Sequence, residues 1–228
     1  MNRATISADI VSYTSLADED KREIERKTRE LLGQLSQKYR EEGFYGRMVQ
    51  GDYLECAMFS PEIGLRVALI IKTFMKSIAL IRPDHSDKRY KYFREHGVRI
   101  ALAVAPLKLI DRENGIIDGD AIYQSGRTIK GYSTSGKQKI VIKNTMFFCS
   151  NDTNEQEKYD AIIALLDVLI ARCSGKQCEV LFYKLLGFTE KEISELLGKY
   201  QSTISQHSTA AGWQSIEKSV NYFEKNIV

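Results

Sequence analysis

Near residue 150 the spacing of apolar residues changes character, and that change limits the architecture more than any other property of the chain. Up to that point short bounded apolar runs alternate with helical spacing. Residues 4–11 read as a buried strand. Asp18, Glu19 and Asp20 then supply first-turn acids, and Ile24, Thr28, Leu31, Leu32, Leu35 and Tyr39 recur at helical spacing until Gly43. Residues 44–49 and 53–59 flank Gln50-Gly51-Asp52 and read as a hairpin. Ser60-Pro61 pairs a capping residue with a proline at the first helical position, opening a helix expected to last to about Ile81. A charged loop is expected over residues 82–96, then a strand over 98–109, a turn-rich stretch over 111–119, a helix over 121–132 and a last strand over 139–149. Such an order fits a mixed sheet with helices packed mainly on one face.

Beyond a polar linker, placed at residues 151–158, the strand signal stops. Helical spacing covers residues 159–171, 177–186 and 190–197, and then runs from Thr203 through Ile204, Trp213, Ile216, Val220 and Phe223. The reading is an α+β chain: a mixed-sheet domain over residues 1–150 followed by a small all-α domain over 159–228.

The longest apolar stretch, residues 63–81, is interrupted by Arg66, Lys72 and Lys76, and no apolar run precedes a small-residue cleavage site at the N-terminus. No membrane partner is expected, and the localisation expected is cytoplasmic. Cys56, Cys149, Cys173 and Cys178 lack CxxC spacing and the histidines are scattered, which argues for reduced thiols and against a zinc cage.

Thr189-Glu190-Lys191-Glu192-Ile193 and Gly198-Lys199-Tyr200-Gln201-Ser202-Thr203-Ile204-Ser205-Gln206-His207 frame a helix, a tight turn and a second helix. Thr189 caps the first helix, Ile193, Leu196 and Leu197 fill the space between the two, Gly198 permits the turn, and Ile204 plugs the second helix. This stretch resembles the helix-turn-helix of sigma-factor region four and of LuxR-type regulators. The resemblance implies DNA as partner, met by Lys199, Gln201, Ser202, Thr203, Ser205, Gln206 and His207 through base edges and phosphates. A helical hairpin used for dimerisation, effector binding or protein docking has the same spacing. From Lys176 to the C-terminus six Lys balance six Glu with no Arg, so a monomeric module would bind phosphates weakly.

Ala8-Asp9-Ile10-Val11-Ser12-Tyr13-Thr14-Ser15-Leu16 is similar to the D-I-x-G-F-T-x-L motif of class III nucleotidyl cyclases, and Gly51-Asp52 stands where those enzymes carry a second G-D. Val98-Arg99-Ile100-Ala101-Leu102-Ala103-Val104 and the segment from Asp118 to Arg127 resemble the later strand and helix of that family. The G-D after a long helix and the later arginine helix also resemble the SatD family. The cyclase likeness implies a ferredoxin-like, cyclase-like sheet domain working as a homodimer. It implies Mg or Mn with a nucleotide at Asp9, Asp52 and Ile10, phosphates cradled by Ser12, Tyr13 and Thr14, and Arg127 as the transition-state arginine. Met48 falls at the base-selecting lysine, Tyr123 at the asparagine, and the adenine-recognising aspartate falls near Ile116, with Asp118 close by. Each lost polar donor typically costs about 100-fold or more in rate, so little cyclase activity is expected. Taken singly, Asp9 and Asp52 also suit plain turn positions, and Arg127 a surface ion pair.

Together these readings describe a DNA-binding transcriptional regulator with a cyclase-like dimerisation or nucleotide-sensing domain. The alternative is a divergent metal-dependent nucleotide enzyme regulated by a helical module. The whole chain carries 33 Lys+Arg against 30 Asp+Glu. Residues 151–228 hold 8 and 11 of these, a net −3, leaving +6 on residues 1–150. Positive charge therefore lies away from the segment whose motif resembles a DNA binder.

Overall fold

The structure, a computed structural model, describes residues 1–81, 87–132 and 144–227. In chain order the elements are β1 (Asn2–Ile10), α1 (Asp18–Lys38), β2 (Tyr45–Val49), β3 (Tyr53–Met58), α2 (Gly64–Ser77), α3 (Lys88–His96), β4 (Val98–Asp111), β5 (Ile116–Gly119), α4 (Asp120–Tyr132) and β6 (Met146–Ser150). Five helices follow: α5 (Thr153–Arg172), α6 (Gly175–Leu185), α7 (Glu190–Leu197), α8 (Gln201–Ala210) and α9 (Trp213–Asn226).

The strands form one mixed sheet in the order β2-β3-β1-β4-β5, with β6 parallel to β4 and all other pairs antiparallel. Alternation of side chains gives the sheet two different faces. Ala4, Ile6, Ala8 and Ile10 of β1 join Leu54, Cys56, Met58, Ile100, Leu102 and Phe148 in the main core, together with Ile24, Leu31 and Leu35 of α1 and most of α2. On the opposite parity Thr5, Ser7, Ala57, Ala101, Ala103 and Ala105 are small and buried. Small residues there let α4 lie close: Ser125 bonds the hydroxyls of Ser7 at 2.8 Å and Thr5 at 3.3 Å, while Ala121 and Ile122 pack on Ala57, Ala103 and Ala105.

Several boundaries differ from the sequence reading for local physical reasons. The helix expected to reach Ile81 ends at Ser77, where Ile78 turns extended, and it begins with a separate turn over Pro61–Ile63. Part of the expected 82–96 loop is α3, started by the Asp87 side chain accepting from Arg89 N and held by buried Tyr90, Phe93 and His96. Within the expected last strand, residues 139–143 lie outside the described ones. Residues 153–158, read as linker, are the first turns of α5: Asp152 caps Glu155 N, and Gln156 ties Ser150 N and Phe148 O to the helix. The main core also continues through Tyr159, Ile163, Leu166, Ile170, Leu181, Trp213, Ile216, Val220 and Phe223, so α5, α6 and α9 share it with the sheet. Beside it, α7 and α8 pack on α6 through a small separate cluster, Val180, Ile193 and Ile204.

Among the described residues no helix is long and apolar enough to cross a membrane, and no group of three or more His, Cys, Asp or Glu is placed to hold a metal. All four cysteines are free.

Candidate functional site

Two places gather the residues singled out by sequence. The first is a cleft of about 590 Å³ on the α4 side of the sheet, lined by Asp9, Arg47, Asp52, Tyr53, Glu55, Tyr123, Arg127 and Lys130, among others. The hairpin places Asp52 there because Gln50 and Gly51 both adopt positive φ, 56° and 78°, turning the chain tightly between β2 and β3. Ile10 N then donates to Asp52 O at 2.9 Å, fastening the loop to the end of β1. Asp9, Asp52 and Arg127 are thereby brought to one cavity.

The electrostatics of that cavity are mostly settled within the chain. Asp9 and Arg99 are cross-strand partners in the β1–β4 register. Both carboxylate oxygens of Asp9 are taken by the Arg99 guanidinium, at 2.9 and 2.6 Å, and Arg99 also donates to Tyr132 O. Burial still raises the Asp9 pKa above the usual carboxylate value, against the downward pull of Arg99. Arg47 and Glu55 pair at 2.5 Å. Asp52 makes no ion pair among the described residues; its pKa is raised by burial and then by the Asp9 charge. A pair of carboxylates, one of them already neutralised by a bidentate guanidinium, does not fit a two-cation centre.

Other expected positions are accounted for differently. Ser12, Tyr13 and Thr14 do not line the cleft; Ser12 takes a left-handed conformation and Tyr13 Oη donates to Glu25. The Ile10 side chain is buried in the main core and Met48 packs against it. Tyr123 donates its hydroxyl to Asp118, so the two residues nearest the cyclase asparagine and adenine-reading aspartate satisfy each other. Arg127 and Lys130 are exposed on α4 at the rim. Sequence reading passed over Arg99; the available signal was a lone arginine in residues 98–105, otherwise Val, Ile, Leu and Ala, on the face opposite Ile100 and Leu102.

The second place is the α7–α8 pair. Thr189 and Glu192 form a reciprocal cap, Glu192 N to Thr189 Oγ1 at 3.3 Å and Thr189 N to Glu192 Oε2 at 2.7 Å. Gly198 closes the helix at φ +58°, with Lys199 N donating to Ser194 O at 3.0 Å. Ile204 is fully buried against Val180 and Ile193. Gln201, Ser202 and Gln206 face solvent, while Thr203, Ser205 and His207 are half-buried rather than fully outward. Lys199 pairs with Glu179 at 3.6 Å. Leu196, expected between the helices, is instead 57% exposed, and the inner face is filled by Ile193 and Leu197. Tyr200, just before α8 and not singled out by sequence, is 84% exposed.

No family model matches the chain, and no curated protein matches it. Among solved structures it is similar to a bacterial light-regulated adenylyl cyclase, with 13% identity and a TM-score of 0.41 over 65% of this chain. The match spans 43% of that structure, less than half its length.

Proposed function

We propose that the chain is a DNA-binding transcriptional regulator whose α8 enters the major groove, with the β1–β3–α4 cleft serving as a site for a small anionic ligand of the nucleotide kind. The observation that carries the reading is α8 itself. It is held at a fixed angle by Ile204 and the Gly198 turn, and it presents Gln201, Ser202 and Gln206 outward at its N-terminal end. Those side chains carry the donors and acceptors that read base edges. No side chain caps α8, so its first backbone N–H groups remain open to phosphate oxygens. The neutral charge of residues 176–228 makes a single copy a weak binder, so the regulator acts as a homodimer.

The test is selection of duplexes from a random library by the full chain, followed by anisotropy titration of the selected sequence. Replacing Gln201, Ser202 and Gln206 together by Ala is expected to weaken specific binding by about 100-fold or more, with the circular dichroism spectrum unchanged. A wild-type chain that enriches no sequence, or a triple variant that binds as before, refutes the reading and leaves exposed Leu196 and Tyr200 as a protein-docking face.

The convergence of Asp9, Asp52 and Arg127 on one cleft favours a second reading, a divergent nucleotide enzyme. It predicts nucleotide turnover with manganese or magnesium that Asp9→Ala abolishes. The Arg99 clamp on Asp9 weighs against it.

A further inference from the structure

We infer that α5 is a two-fold interface, packing antiparallel against the α5 of a second copy of the chain. The inner face of this helix is spoken for: Tyr159, Ile163, Leu166 and Ile170 are buried in the main core. Its outer face is also apolar. Ala161, Ala164, Leu165 and Val168 recur there at i, i+3, i+4 and i+7, with Leu165 74% and Val168 50% exposed. A helix apolar on both faces is expected to be covered on both.

The order of side chains along the stripe selects the occupant. A dyad placed between Ala164 and Leu165 sets residues opposite one another when their numbers are equally far from that point. Ala164 then meets Leu165 of the second copy and Ala161 meets its Val168, so a small residue faces a large one at every level. Glu157 meets Arg172 of the second copy, each about 11 Å from the dyad at 1.5 Å per residue. Both are exposed, and neither makes an ion pair among the described residues. Symmetry repeats each pairing, so the face is complementary to itself in size and in charge. A parallel arrangement would instead stack Glu157 on Glu157 and Leu165 on Leu165. The helix dipoles also oppose favourably in the antiparallel form.

One pair of 20-residue helices buries an area at the lower end of specific interfaces, so a micromolar dimer is expected. The inference supplies the dimer that the DNA reading calls for, but it stands on α5 alone.

Sedimentation equilibrium of the full chain from 1 to 100 μM, without DNA, tests it. Wild type is expected to dimerise within that range, and Leu165→Glu to remain monomeric with an unchanged melting curve, since Leu165 is exposed in the single chain. Glu157→Arg and Arg172→Glu are each expected to weaken association about three- to tenfold, and the double reversal to restore it. A chain monomeric at 100 μM overturns the inference, leaving the face to another protein. A Leu165→Glu chain that still dimerises places the interface elsewhere, and a double reversal without recovery refutes the antiparallel register. None of these outcomes depends on whether α8 binds DNA.

Discussion

Replacing Lys72 by Met is expected to change how stability depends on pH. Lys72 is completely buried on α2, with Nζ donating to Val98 O at 2.7 Å and Thr145 Oγ1 at 2.5 Å, and lying 3.7 Å from Asp167. Burial is the dominant influence and pushes its pKa down to about 8, only partly offset by Asp167. In the unfolded chain the same lysine titrates near 10.5. Below pH 8 both states carry the proton, and the folded state bears the whole desolvation penalty. Between about 8 and 10.5 the unfolded state binds more protons, so the free energy of unfolding rises with pH; above that it levels off. The shift corresponds to about 3 kcal/mol. Tyrosines and thiols also titrate in this window, yet they do so in both proteins and cancel in the difference. Urea unfolding of wild type and Lys72→Met, followed through Trp213, the single tryptophan, reads that difference directly. With a urea slope of about 2–3 kcal/mol/M, the wild-type midpoint should gain about 1–1.5 M over the variant's between pH 7.5 and 10.5. Parallel midpoints across this range would show that Lys72 titrates normally and would refute the assignment of a desolvated ammonium.

Removing Arg99 as Met leaves Asp9 buried without its cation. The expected loss is about 3–5 kcal/mol near neutral pH, shrinking as acid protonates the raised-pKa carboxyl, and urea midpoints at pH 7 and pH 4.5 check it. Ile204→Ala empties the centre of the α7–α8 cluster and should cost about 2–4 kcal/mol, with faster amide exchange over residues 190–210 ahead of the sheet. Thr189→Ala loses the reciprocal cap and should destabilise α7 by about 1 kcal/mol, seen in the same exchange experiment as a smaller effect confined to the first turn.

Local rules carried the sequence reading furthest where a residue type answers a local need. The Thr189–Glu192 cap, the Gly198 turn and the Gln50-Gly51 hairpin each depend on backbone groups within a few residues, and each has its chemistry written nearby. The convergence of Asp9, Asp52 and Arg127 was legible only through the family resemblance, since 118 positions separate the first from the last. What long-range pairing decides was missed. Arg99 faces Asp9 because the β1–β4 register is antiparallel, and nothing in either segment alone announces that partner. The helix α3 was hidden for a similar reason: its Lys- and Arg-rich sequence looks like a loop until Tyr90, Phe93 and His96 find the core.

Arg66, Lys72 and Lys76 have a use in the fold that their spacing in the sequence does not announce. As charges inside the apolar stretch 63–81 they argued against a membrane span, and that use exhausted them. In the fold each one reaches into the C-terminal segment: Arg66 grips Glu224 of α9 at 2.6 and 3.0 Å, Lys72 faces Asp167 of α5, and Lys76 donates to Ile170 O and Ala171 O at 2.7 and 2.9 Å, closing the end of α5. A buried cation on an apolar helix needs an acceptor that arrives from elsewhere, because burying it unpaired costs more than the helix gains. Two of these contacts, Arg66–Glu224 and Lys72–Asp167, set a cation of residues 1–150, net +6, against an anion of residues 151–228, net −3, while Lys76 meets neutral carbonyls. Opposite charge on the two halves therefore has a structural use. Part of it joins α5 and α9 to α2, whereas α7 and α8 pack on α6 through Val180, Ile193 and Ile204, beside the main core.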